Sequence, residues 1–241
     1  MSVHARIAVL ASGGGTNLQA LIDRFHGGAS DAARVELVVG SRAGIGALER
    51  AERAGIAARV LDARVLGADA FRDALAAALE AHRIDLVVLA GWLQLVPREV
   101  VARYHGRMVN VHPALLPAFG GRGMYGMRVH QAVVAAGVRV SGATVHLVDE
   151  RYDEGAIVAQ WPVPVLPGDT AQTLAARVLA VEHRILPLAV EALARGVPIP
   201  PVDEGPLAFD LAAAPPADPS LLRTMHVSGG VATGGGEPET D

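Results

Sequence analysis

Short apolar runs rich in β-branched residues alternate along this chain with alanine-rich stretches whose apolar residues recur at offsets of three and four. No other feature limits the fold as much. Parallel strands need a long crossover between them, and a helix is the usual crossover. The segments "RIAVLAS", "RVELVVG", "ARVLD", "DLVVLAG" and "RMVNVHP" read as strands. Between them "TNLQALIDRFHG", "GIGALERAERAG" and "DAFRDALAAALEAHR" read as helices, each with a glycine or basic residue near its end. The expected fold is α/β: a doubly wound, mostly parallel sheet with helices on both faces. After the loop 114–127, "RVHQAVVAAG" reads as a further helix, and "SGATVHLVD" and "AIVAQWPVPV" as two further strands. Pro162 and Pro164 mark the second of these as an edge strand or a strand end. A long helix is expected from Thr170 to about Arg195, capped by Asp169 or Thr170, with Leu174, Val178, Val181, Ile185 and Leu188 as its buried stripe.

Composition narrows the class. With 241 residues, 51% hydrophobic and 19% charged, the chain can bury one sizeable core. A catalytic domain is expected over 1–196, followed by a Pro/Gly-rich tail over 197–241 that is at least partly disordered, since "GGVATGGGEPETD" lacks the side chains for a core. A formal net charge of -4 offers nucleic acid no broad attraction. No cysteine is present, which removes disulfides, thiolate metal ligands and a thiol nucleophile and is compatible with a reducing cytosol. The start "MSVHARIAVLAS" has too short an apolar run to span a membrane and lacks the pattern of a signal peptide.

Three stretches carry chemistry. In "VLASGGGTNLQAL" a strand runs through three glycines into a helix, an arrangement that suits an anion such as phosphate at the helix start, or is simply a tight turn. Thr16 and Asn17 can bond that phosphate or cap the helix. In "RMVNVHPALLP" the period of two puts Met108, Asn110 and His112 on one strand face, at the carboxyl end where open α/β sheets hold ligands. Pro113 biases His112 toward extended backbone. The alternative is a core histidine satisfied by backbone. In "VDERYDEGAIVAQ" Asp149, Glu150 and Glu154 read as solvated turn residues, while Asp153 can orient or charge His112 if the chain brings them together. A metal held by His112, His146 and Asp153 is the competing chemistry.

"VLASGGGTNLQALI", "VVLAGWLQLVP", "NVHPALLPAF", "SGATVHLVDERYDEGAIVAQ" and "VEHRILP", in this order and spacing, resemble the phosphoribosylglycinamide formyltransferase family over about residues 5 to 196. The resemblance implies transfer of a formyl group from 10-formyltetrahydrofolate, as co-substrate, to the amine of glycinamide ribonucleotide in purine biosynthesis, without a metal. It assigns catalysis to Asn110, His112 and Asp153, the ribonucleotide phosphate to Gly15, Thr16 and Asn17, and the rest of that substrate to Glu182. The folate is expected against Leu93, Gln94, Leu95 and Val96 and against the acidic turn near Asp153, next to Asn110. Implied besides are a cytoplasmic monomer or homodimer and small-molecule substrates, with neither nucleic acid nor membrane as partner. The mechanism expected is an oxyanion met by Asn110 and a protonated His112, with Asp153 raising the protonated fraction of the ring.

Some positions depart from the family pattern. The loop "AFGGRGMYGMRVH" is longer than in many relatives and glycine-rich, as suits a mobile lid. Gln94 stands where some relatives have arginine, and no arginine lies at the folate-tail position near Ala68, which leaves Arg64 or Arg72 as substitutes. Methionyl-tRNA formyltransferase is a rival with the same Asn-x-His element, but it carries a carboxyl-terminal β domain that this tail is too short to form. Formyltetrahydrofolate deformylase carries an amino-terminal regulatory domain, for which a first strand at about residue 5 leaves no room. A sensor that binds without turnover would not need the catalytic trio.

Overall fold

The computed structural model describes residues 4–197. The expected tail over 197–241 lies outside them apart from Val197. The elements are β1 (Ala5–Ala11), α1 (Thr16–Phe25), β2 (Ala33–Gly40), α2 (Gly46–Arg53), β3 (Ala57–Val60), α3 (Ala63–Leu66), α4 (Ala68–Ala81), β4 (Leu86–Leu89), α5 (Arg98–Arg103), β5 (Met108–His112), α6 (Met127–Ala135), β6 (Val140–Leu147), β7 (Ile157–Pro164) and α7 (Ala171–Ala194). The seven strands form one sheet in the order β3-β2-β1-β4-β5-β6-β7. Pairing is parallel from β3 through β5, and antiparallel for β5 with β6 and β6 with β7. The proline-bearing β7 is an edge, as its residues required.

Strand periodicity divides the core into two layers. Ile7, Val9 and Ala11 of β1 pack on one face with Leu18, Leu21 and Ile22 of α1, Ala47 and Ala51 of α2, Val129 and Val133 of α6 and Leu174, Val178, Val181 and Ile185 of the α7 stripe. Ala8 and Leu10 pack on the other with Phe71, Leu75 and Leu79 of α4 and Val100 and Val101 of α5. Burying one such side chain contributes about 1.5–3 kcal/mol, so the layers account for the fold. The short helices α3 and α5 lie where the sequence showed no helical stripe, because four to six residues do not complete two turns of a repeat.

Winding reverses between β1 and β4. The chain moves outward through β2 and β3 on one side of β1, then returns to place β4 and β5 on the other. The loops that leave the carboxyl ends of β1 and β4 therefore part, and a crevice opens between them. The α7 helix lies across the sheet behind it. Thr170 caps α7 in a reciprocal box with Thr173, while Asp169 pairs with Arg177 at 2.7 Å. Pro187 lies inside α7, where its missing N–H leaves the helix without one of its own bonds. Among the described residues no helix is long and apolar enough to cross a membrane.

Candidate active site

A cavity of about 420 Å³ opens at this crevice. Its lining includes Asn17, Glu182, Asn110, His112, His146 and Asp153, the whole segment Leu93 to Val96, and glycines of the long loop. Of the nominated catalytic, substrate and folate residues, Gly15, Thr16, Arg64 and Arg72 are outside that lining.

Asn110 and His112 share a face of β5, and the antiparallel neighbour β6 sets His146 opposite Asn110 and Thr144 opposite His112. The His146 Nδ1 stands 2.8 Å from the Leu147 carbonyl, and Asn110 Nδ2 stands 3.0 Å from His146 Nε2. A carbonyl only accepts and an amide nitrogen only donates, so the His146 Nδ1 donates to the carbonyl and Asn110 donates to Nε2. One amide proton of Asn110 is thereby fixed and the second is free for a ligand. The His112 Nε2 donates to the Phe119 carbonyl at 2.9 Å. Asp153 lies between the rings, its Oδ2 3.6 Å from His112 Nδ1 and its Oδ1 3.6 Å from His146 Nε2. The Gly121 N–H donates to Asp153 Oδ2 at 2.9 Å. All four ring nitrogens of His112 and His146 already face a carbonyl, an amide or a carboxylate, and among the described residues no group of three or more His, Asp or Glu is arranged to hold a metal ion.

Electrostatics depart from the expectation of a charged ring. Burial lowers the pKa of His112, and that outweighs the Asp153 carboxylate and the Phe119 carbonyl, both of which raise it. The ring of the free protein is therefore neutral near pH 7. For Asp153 burial acts to raise the pKa, but the His146 ring, the Gly121 N–H and the His112 ring reverse it, and the carboxyl stays below its ordinary range. Asp149 accepts from the Arg151 N–H at 2.8 Å and Glu154 pairs with Arg151 at 2.6 Å, as fits residues of a solvated turn.

At α1 the backbone decides. Gly15 caps the helix at φ 73°, and a Cβ there would lie 2.6 Å from the Ala47 Cα, so only glycine fits. No side-chain hydrogen bond caps α1, so no capping side chain competes with an anion for its first amides. Asn17 Nδ2 donates to Glu182 Oε2 at 2.6 Å, tying α1 to α7. Burial pushes the Glu182 carboxyl up, and the Asn17 bond only partly opposes it. Thr16 lines a separate hollow of about 530 Å³ with Arg50 and His183, so Thr16 and Asn17 serve different spaces.

Leu93, Gln94, Leu95 and Val96, where the folate is expected, all line the cavity. Gln94 Nε2 donates to the Ser41 carbonyl and its Oε1 accepts from the Ala63 N–H, each at 3.1 Å, so this side chain fastens two loops. Arg64 is held by Asp62 at 3.2 Å and Arg72 by Asp69 at 2.6 Å, and neither lines the cavity. Trp92 and His130 line it, and sequence reasoning passed over both. Their Trp92 Nε1 and His130 Nδ1 are buried without a partner among the described residues. The one signal for His130 was a polar residue beside Val129 on the apolar face of its helix.

Comparison with known proteins gives a consistent result. Residues 5–190 match the family described as formyl transferase. The phosphoribosylglycinamide formyltransferase of Mycobacterium tuberculosis is 44% identical over 196 residues, covering 80% of this chain and 86% of that one. The trifunctional purine biosynthetic protein adenosine-3 of Gallus gallus is 43% identical over 192 residues, which are 79% of this chain and only 18% of that protein. This chain thus spans about a fifth of the trifunctional relatives it matches. In structure it is similar to glycinamide ribonucleotide transformylase 1 of Symbiobacterium toebii, with a TM-score of 0.75 and 43% identity over 81% of this chain and 90% of that one.

Proposed function

The chain belongs to the formyl transferase family, and on that premise we propose that it transfers the formyl group of 10-formyltetrahydrofolate to the primary amine of glycinamide ribonucleotide in purine biosynthesis. One observation carries this reading: Asn110, His112 and Asp153 converge on a cavity that is also lined by the Asn17–Glu182 pair and the apolar segment Leu93 to Val96. An acidic and amide pair suits the sugar and glycinamide groups of one substrate, and the α1 amides suit its phosphate. The apolar wall, with the unpartnered Trp92 Nε1 within it, suits a flat heterocycle that has hydrogen-bond acceptors. The folate supplies the formyl carbon.

Attack of an amine on a formyl carbon puts negative charge on the carbonyl oxygen and positive charge on the nitrogen. The free amide proton of Asn110 meets the first, held in place by His146. Loss of such a donor costs about 2.7–4 kcal/mol of barrier in enzymes that use one. The neutral His112 takes up the second as a proton, and the anionic Asp153 stabilises the imidazolium so formed. On the same reading the enzyme is cytoplasmic, acts on two small molecules without a metal, and works as a monomer or homodimer.

The test is a spectroscopic assay of tetrahydrofolate release from 10-formyltetrahydrofolate, with and without glycinamide ribonucleotide. Release that depends on the ribonucleotide is expected. Release without it would identify a hydrolase, and no release in either case would overturn the assignment.

A further inference from the structure

Three non-glycine residues among those described have a left-handed backbone: Arg83 at φ 50°, Phe119 at φ 56° and Asp153 at φ 57°. Such residues are uncommon because Cβ crowds the backbone there, and they persist where surrounding structure demands them. Two of the three face the same ring. Phe119 gives its carbonyl to His112 Nε2, and Asp153 sets its carboxylate against Nδ1. Gly121, two residues after Phe119, holds that carboxylate through its N–H.

The two acceptors compete for one proton. A neutral imidazole beside a carboxylate alone would carry its proton on the nitrogen facing it, here Nδ1. The Phe119 carbonyl is at 2.9 Å from Nε2, within hydrogen-bond range, and the carboxylate is at 3.6 Å from Nδ1, outside it. We infer that the 119–121 turn is a clamp that fixes the His112 proton on Nε2 and Asp153 in place, so that Nδ1 is the atom that accepts and returns the substrate proton. Phe119 and Gly121 are positioning residues in this account, acting through their backbone groups.

The chemistry rests on the formyl-transfer reading, whereas the tautomer rests on geometry alone. As the amine nitrogen bonds to the formyl carbon, the carbonyl electron pair moves onto oxygen, and an amine proton passes to His112 Nδ1. When the bond from that carbon to the folate nitrogen breaks, its pair goes to the nitrogen, which takes the proton from Nδ1. The carbonyl re-forms, and the ring returns to its neutral form with the proton on Nε2.

Two measurements test the clamp. Nitrogen-15 ring spectra of the full chain without substrates, with the signal assigned by its loss in His112→Gln, are expected to show the proton on Nε2; a proton on Nδ1 overturns the inference whatever the activity. The second uses Gly121, which has φ 91° and open space where a Cβ would stand, so substitutions act through backbone conformation and not through a clash. Gly121→Val is expected to lower kcat by ~10²-fold, since a catalytic group displaced by about an ångström loses that much, and to move KM for the ribonucleotide less than ~3-fold. Gly121→Asn, which tolerates positive φ, is expected to restore most of the loss and the wild-type ring signal. Equal kcat in Gly121→Val and wild type, or equal losses in the Val and Asn variants, overturns the clamp. Absence of formyl transfer by the wild type overturns the proposed function and leaves the ring spectrum as the test of the clamp.

Discussion

Two carboxylates line the same cavity and are displaced in opposite directions. Glu182 sits on α7 among the buried stripe, it accepts a hydrogen bond from the neutral amide of Asn17, and burial raises its pKa. Asp153 sits on a turn, receives an N–H from Gly121 and stands beside two imidazoles, and its pKa falls although burial works against it. The comparison shows that burial by itself makes a carboxyl keep its proton. Directed N–H groups and rings able to take up charge are needed to keep it ionised. It also separates two tasks. On the proposed function, the carboxyl held by a core helix positions a polar substrate, and the one held by a loop backbone stabilises a charge that appears and disappears.

Asp153→Asn puts the larger demand on this contrast. It is expected to lower kcat by about 10²–10⁴-fold with the circular dichroism spectrum unchanged, because the imidazolium loses its counter-charge. A fall of less than ~10-fold would remove Asp153 from the proton path. Next in size is Leu174→Ala, a fully buried position on the helix that carries Glu182. Urea unfolding should show a loss of about 2–5 kcal/mol, equal at pH 5 and pH 8, since no titrating group is involved. That flat profile is the baseline for the carboxylates.

Glu182→Gln comes third, with KM for the ribonucleotide raised and kcat changed less. A group whose folded pKa is raised contributes stability below its unfolded pKa and loses it as pH rises through the folded value. The Gln variant should therefore gain on wild type as pH rises, and the gap should close toward pH 4. For Asp153, with its folded pKa depressed, the contribution is present above the unfolded pKa and lost as pH falls through the folded one, so the Asn variant should approach wild type only in acid. Parallel pH profiles for the two variants would erase the contrast. Smallest is Thr170→Ala, which removes the side-chain cap of α7 and should cost about 1 kcal/mol in urea unfolding, with no change in kcat.

Much of this was legible in the residues. Period two in "RMVNVHP" puts Asn110 and His112 together on one face, and the alternation of strands and helices puts that face at a carboxyl edge of the sheet. The stripe from Leu174 to Leu188 outlines α7 and its cap at Thr170. Other features had no local signal. The folate-tail substitutes Arg64 and Arg72 are tied to acids nearby in sequence, Asp62, Asp69 and Asp73, yet nothing in the spacing told a solvated pair from a free cation. Gln94 marks a departure from the family pattern, but its task of joining Ser41 to Ala63 exists only once the loops meet.

The sequence by itself determined the α/β class with helices on both faces and nominated the polar residues proposed to react, since periodicity and residue type are local properties of the chain. Tertiary structure alone decided their chemical state. His112 is neutral because the fold buries it more effectively than Asp153 charges it, and Asn110 is aimed because the antiparallel register of β6 brings His146 opposite. Protonation and aim depend on desolvation and on partners distant along the chain, such as Asn17 and Glu182 at 165 residues' separation, and only folding creates these.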